Sequence, residues 1–195
     1  STLLASSAAS DVYKRQKQGG EDDGFAFTDY NAVTNAWHYE ALKLMEGIAG
    51  ALDKQDDATF YASESDAFKK RFIRSFFNAR KGYFIDGLAS DTDHASLHGN
   101  MFPLAFDLVP AGKKQNVVDF IQTRGMACSV YGSQFLMDAL YEANDAEYAL
   151  HMLTKTDDRS WYNMIRVGST ISLEAWDNKS VSYTHLRAHE TELHL

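Results

Sequence analysis

The sequence predicts an all-α fold of antiparallel helical hairpins, on three observations. Apolar residues recur every three to four positions through most of the chain, and the connectors between these segments are hairpin-short. The segment lengths vary too much for a regular solenoid repeat. At 195 residues a single domain is expected.

The first helix is expected over residues 33–52, where Ala36, Trp37, Ala41, Leu44, Met45, Ile48, Ala49 and Leu52 form a stripe. A second follows over 57–78, carried by Phe60, Phe68, Phe72, Ile73, Phe76 and Phe77, with Phe72, Phe76 and Phe77 assigned to the core. Residues 82–94 break the pattern with Gly82, Gly87 and several aspartates and read as a loop, with a short extended piece at 83–85. Residues 96–108 are expected to be helical, with Pro103 in the first turns or at a kink. Helices over 113–123, 131–143 and 146–154 follow, separated by Gly125 and by the Ala143-Asn144-Asp145 turn. A last short helix, 157–167, has Trp161, Met164 and Ile165 on its apolar side. The loops then gather polar and aromatic residues at one end of a helical barrel.

The two ends differ in composition from the middle. Residues 6–16, SSAASDVYKRQ, and 181–191, VSYTHLRAHET, are what two common transposase sequencing adapters encode, with 1–5 and 192–195 as their flanks. Residues 1–16 and 181–195 are therefore expected to be non-native and are excluded from fold reasoning, leaving 17–180. The ends hold three basic and three acidic residues, so the net charge of −8 belongs to the middle. Such an excess argues against a nucleic-acid partner, which would need a basic stripe. No run is long and apolar enough to suggest a membrane span. Cys128 is the single cysteine and forms no internal disulfide, and His38, His94, His98 and His151 lack ligand-like spacing, so neither a metal nor a cofactor is called for.

The chemistry-bearing stretch is residues 167–177, VGSTISLEAWD. Gly168, Ser169 and Thr170 allow a tight turn, and Glu174 stands close to an indole that could desolvate it, as an acid or base working near neutral pH requires. The alternative is that Glu174 is a solvated loop acid and Trp176 a core anchor.

Five segments in order resemble the bacterial α-L-rhamnosidases. They are YNAV with NAWHY (30–39), SLHGNMFPLA (96–105), CSVYGSQFL (128–136), SWYNMI (160–165) and GST to EAWD (168–177). The resemblance covers residues 17–180 and implies part of an (α/α)6 barrel, a six-hairpin glycosidase that removes terminal L-rhamnose with inversion. It implies Glu174 as the general base, Trp176 as a residue shaping the pocket and Asp177 as a structural one. His98 and Asn100, at a loop-to-helix start, are candidates for hydrogen bonds to sugar hydroxyls. Tyr131, Asn35 and Trp161 are candidate pocket-lining residues, with a place in the core as the alternative. Leu173 stands where the family often has an aromatic.

An inverting mechanism also needs a general acid, with the two carboxyls about 6.5 to 9.5 Å apart. In the family that acid lies upstream of the matched region, and Glu21, Asp22 and Asp23 do not fit its motif. A histidine-bearing segment expected after Asp177 is replaced by the tail. The expected partner is thus a carbohydrate, together with the remainder of the catalytic domain. Two other readings remain, a six-hairpin glycosidase or lyase of another specificity and a non-catalytic helical scaffold.

Overall fold

The structure, a computed structural model, describes residues 20–88 and 93–176. The end segments 1–16 and 181–195 and the Asp177 position lie outside the described residues. Within them the chain forms seven helices and one two-stranded hairpin.

Helix α1 (Ala32–Ala51) begins where the Asn31 side chain accepts the Thr34 amide at 2.9 Å, a standard N-cap. It turns through Asp53, in the left-handed region at φ 56°, into α2 (Gln55–Phe76), whose first turn carries Asp56 and Asp57. Helix α2 stops two residues short of expectation. Phe77–Asn78 forms strand β1, paired antiparallel with β2 (Tyr83–Phe84), and the Asn78 side chain accepts the amides of Arg80 and Lys81 in the turn. Phe72 and Phe76 are buried as expected, and Phe77 packs against the core from the strand.

Helix α3 is His98–Ala105, shorter at both ends than the sequence suggests. Ser96 stays outside it because its amide and hydroxyl both bind Asp86. Pro103 lies inside the helix as its sixth residue, not in the first turn, and with no N–H to extend the ladder the helix ends two residues later. Helices α4 (Lys114–Arg124), α5 (Gly132–Glu142) and α6 (Ala146–Thr154) lie within one residue of expectation. Gly125, at φ 61°, ends α4, and Asn144, also at φ 61°, makes the α5–α6 turn. Helix α7 is only Trp161–Arg166, because residues 157–160 form its cap: Asp157 accepts the Arg159 amide and Ser160 accepts the Asn163 amide.

Helix α1 packs on α2 and on α3, α3 on α4 and on α5, and α5 on α6. Helices α1, α3 and α5 therefore form one layer, with α2, α4 and α6 as their return arms, which is how paired helices curve into concentric rings. Trp37, Phe102, Phe106 and Phe135 lock the α1–α3–α5 layer, with the Trp37 ring 5.0 to 5.4 Å from each of the other three. The stripe expected to be buried on α1 is only partly so: Ala36 and Ala49 are inside, but Leu44, Met45, Ile48 and Leu52 are exposed, as is Phe60 on α2. Ile165, expected on the apolar side of α7, is exposed as well, whereas Met164 is buried.

Candidate functional site

The starts of α1 and α3 and the end of α4 are tied together by two buried carboxylates. Asp86, fully buried after β2, accepts the Ala26 amide at 3.0 Å, the Ser96 amide at 2.8 Å, the Ser96 hydroxyl at 2.7 Å and the His94 ring at 2.6 Å. Its own carbonyl takes the Ala32 amide, so it joins the starts of α1 and α3. Asp23, also buried, accepts the Leu97 amide at 2.6 Å and Arg124 Nε at 2.8 Å, with a second close contact from the same guanidinium. It joins the start of α3 to the end of α4. Burying either charge would be costly without these donors. Sequence reasoning placed Asp86 in a generic loop; the available signal was a lone acid between Ile85 and Gly87 directly after an extended piece.

The 167–176 loop is anchored on the same side. Gly168 takes φ 88°, which favours glycine, and the Gly168 and Ser169 amides return to the carbonyls of Ile165 and Met164. The Leu173 amide rests on Met164 Sδ at 3.4 Å. Trp176 is held at three points: its Nε1 donates to the Cys128 carbonyl at 2.6 Å, its amide to Glu21 Oε1 at 3.3 Å, and its carbonyl accepts Asn163 Nδ2 at 3.1 Å. Its ring meets Trp161 edge-on at 5.0 Å. Glu21 on one loop end and Asp23 on the other thus bridge the Glu174 loop to the start of α3. Between the anchored Leu173 and Trp176, Glu174 is exposed and makes no hydrogen bond or ion pair with a described residue. The expected apposition of acid and indole is not formed: Trp176 turns inward, 1% exposed, while the carboxylate faces out.

The other predicted residues divide. His98 opens α3, and its Nδ1 is the buried side-chain atom that lacks a hydrogen-bond partner among the described residues. Burial lowers the His98 pKa below the usual histidine value, partly offset by the nearby charges of Asp23, Asp86 and Asp22, so the ring is a neutral hydrogen-bonding group. Tyr131, the residue before α5, is 62% exposed. Asn35 lies in the first turn of α1, half-buried, its amide nitrogen on the Asn31 carbonyl at 2.8 Å. Trp161 is half-buried at the start of α7.

Two expectations are corrected. Asn100 is fully buried and its amide is spent on structure, its Oδ1 accepting the Phe84 amide at 2.8 Å and its Nδ2 donating to the carbonyls of Phe84 and Ser96. It ties β2 to α3 and has nothing left for a sugar. Trp176 acts as a buried post beneath the loop and offers no face to a ligand. Burial likewise pushes the Cys128 thiol up to about 12, which makes it inert. No cluster of three or more metal-ligating side chains occurs among the described residues.

The chain matches, over residues 5–192, the family described as the bacterial alpha-L-rhamnosidase 6 hairpin glycosidase domain. Among curated proteins no significant match is found. Among solved structures it is similar to the alpha-L-rhamnosidase from Dictyoglumus thermophilum, at 22% identity over 73% of this chain and 16% of that one, with a TM-score of 0.63. It is also similar to the native alfa-L-rhamnosidase from Aspergillus terreus, at 20% identity over 84% of this chain and 18% of that one, with a TM-score of 0.64. The chain thus spans less than a fifth of the length of either structure.

Proposed function

Since the chain belongs to the bacterial α-L-rhamnosidase six-hairpin glycosidase family, we propose that it is part of an inverting glycoside hydrolase that releases terminal α-L-rhamnose, with Glu174 as general base. The observation that carries this reading is the contrast among the carboxylates. Asp23 and Asp86 are buried and saturated with donors, and Asp93 is paired with Lys81 at 2.5 Å. Glu174 stands on a firmly anchored loop with its oxygens unengaged by described residues. A base that must take a proton from water needs that freedom.

In this mechanism Glu174 removes a proton from a water that attacks the anomeric carbon of rhamnose, while an acid on the opposite face protonates the leaving oxygen. His98, neutral and half-buried at the start of α3, offers its ring edge for one hydrogen bond to a sugar hydroxyl. Tyr131 offers an exposed ring and hydroxyl, and Asn35 and Trp161 sit at the starts of α1 and α7. The acid comes from a part of the barrel outside this chain. In the same reading residues 1–16 and 181–195 are adapter-derived, on the strength of their sequence; the family match reaches into both segments.

Hydrolysis of an activated aryl α-L-rhamnoside tests the proposal. The purified 195-residue chain is expected to give no turnover above buffer, because loss of acid assistance alone removes about 10² to 10⁴ in rate. A longer gene product carrying this segment within a complete six-hairpin domain is expected to be active. Turnover by the isolated chain would mean that the acid lies within it, and an inactive complete domain would argue for another specificity.

A further inference from the structure

The loop between α4 and α5 and the segment leading into α7 enclose an open cleft of about 480 Å³, lined among others by Asp23, Arg124, Met126, Lys155 and Arg159. That volume lies within the range of about 300 to 1,000 Å³ usual for small-molecule sites. In a chain of net charge −8, three of its lining residues are cations and one is an acid.

These cations are not equivalent. Arg124 is engaged by Asp23, and Lys155 by Asp157 at 2.8 Å, with Lys155 mostly buried and Asp157 on the outside. Arg159 is held only by neutral acceptors, its Nη1 donating to the Gly20 carbonyl at 3.2 Å and the Met126 carbonyl at 3.3 Å. Among the described residues no carboxylate pairs with it. Two carbonyls therefore fix the plane of a half-buried guanidinium that, among the described residues, has no paired carboxylate and has N–H donors to spare. A planar fork in that state fits a carboxylate in two-point contact. One guanidinium charge suits a monoanion better than a phosphate dianion.

The cleft borders the proposed catalytic loop. Its floor, Met126 and Ala127, leads directly to Cys128, whose carbonyl holds Trp176 Nε1 two residues after Glu174. Its Asp23 wall follows Glu21, which accepts the Trp176 amide. Trp176 thus ties the walls of this cleft to the Glu174 loop.

We propose that this cleft binds the carboxylate of a hexuronic acid, so that the substrate class is a rhamnose linked to a uronate, with Arg159 as the main contact and Lys155 as support. The substrate half of this inference rests on the rhamnosidase reading; the carboxylate site does not.

Saturation-transfer NMR on the 195-residue chain, which reads the ligand and tolerates a self-associating protein, tests it with four probes: methyl glucuronoside, its methyl ester, a monosaccharide sulfate, and L-rhamnose. The glucuronoside is expected to bind saturably, and the ester and the sulfate ester at least about tenfold more weakly. Arg159→Gln is expected to weaken glucuronoside binding about tenfold or more. Because Arg159 also holds two carbonyls, Lys155→Gln provides a second variant, expected to weaken the same ligand severalfold while leaving L-rhamnose binding unchanged. Equal binding of acid and ester, preference for the sulfate, or glucuronoside binding indifferent to both substitutions would overturn the inference. L-Rhamnose binding without glucuronoside binding would overturn it while leaving the rhamnosidase reading intact. Glucuronoside binding without L-rhamnose binding would support the carboxylate site and count against the rhamnosidase reading.

Discussion

Asp23 holds three chain segments with one carboxylate, and its burial makes the arrangement all or nothing. Removing it would leave the Arg124 guanidinium beside a buried cavity and the Leu97 amide without its acceptor. Asp23→Ala is therefore expected to cost about 3 kcal/mol or more, measured as a shift in the urea midpoint at unchanged slope. A loss below about 1 kcal/mol would mean that the pair is a surface ornament. His98 makes a second prediction at this scale. Its pKa is lowered in the folded state, so below the ordinary histidine pKa of about 6.5 the unfolded chain binds the proton more readily. The sign is a loss of stability as pH falls from about 6.5, with no contribution above it. His98→Gln is expected to flatten that part of the stability–pH curve, and an unchanged curve would assign the dependence elsewhere. Residue roles were the part of the sequence least open to reading. Asn100 and His98 stand two apart in one short motif, yet one is held by β2 and Ser96 while the Nδ1 of the other has no partner among the described residues, a difference that the fold decides and the motif does not.

At the scale of elements, legibility followed the strength of the periodic signal. Helices α1, α4, α5 and α6 fall within a residue of the positions that apolar spacing and turn residues indicate, because each is long enough for its own face to register. Apart from the early end of α3 at Pro103, the failures share one cause, local pairing that overrides helical spacing. Phe77 and Asn78 leave α2 to pair with β2, and Ser96 leaves α3 to bind Asp86. The stripe on α1 was legible as apolar but its cover was not, since spacing cannot say what packs against it. Leu44, Ile48 and Leu52 are each more than half exposed, a contiguous apolar face of the kind that drives association. By contrast α5 buries Leu136, Met137 and Leu140 and leaves mainly Tyr131 and Tyr141 outside. The isolated chain is therefore expected to self-associate in sedimentation experiments, and Leu44→Lys with Ile48→Lys to shift it towards monomer without loss of helicity. A monomeric parent chain would contradict the role given to this face.

For the whole molecule, the layering of α1, α3 and α5 brings every predicted site position to the start of an inner helix or of α7, or to the loop that follows α7. Order along the chain already carried that arrangement, because short connectors force alternate helices to start from the same end. What order could not supply was the Glu21–Asp23 turn as the bridge between the Glu174 loop and α3, a contact spanning most of the chain. On the proposed reading this frame presents Glu174 to a water molecule. That role is tested most directly by the turnover number of Glu174→Gln in a complete six-hairpin domain containing this segment, measured on an aryl α-L-rhamnoside beside the parent and beside thermal unfolding of both. The amide keeps the shape but cannot take the proton, so kcat is expected to fall by at least about 10² to 10⁴ with the unfolding temperature nearly unchanged; near-normal turnover, or a variant that simply unfolds, would assign the base to another residue.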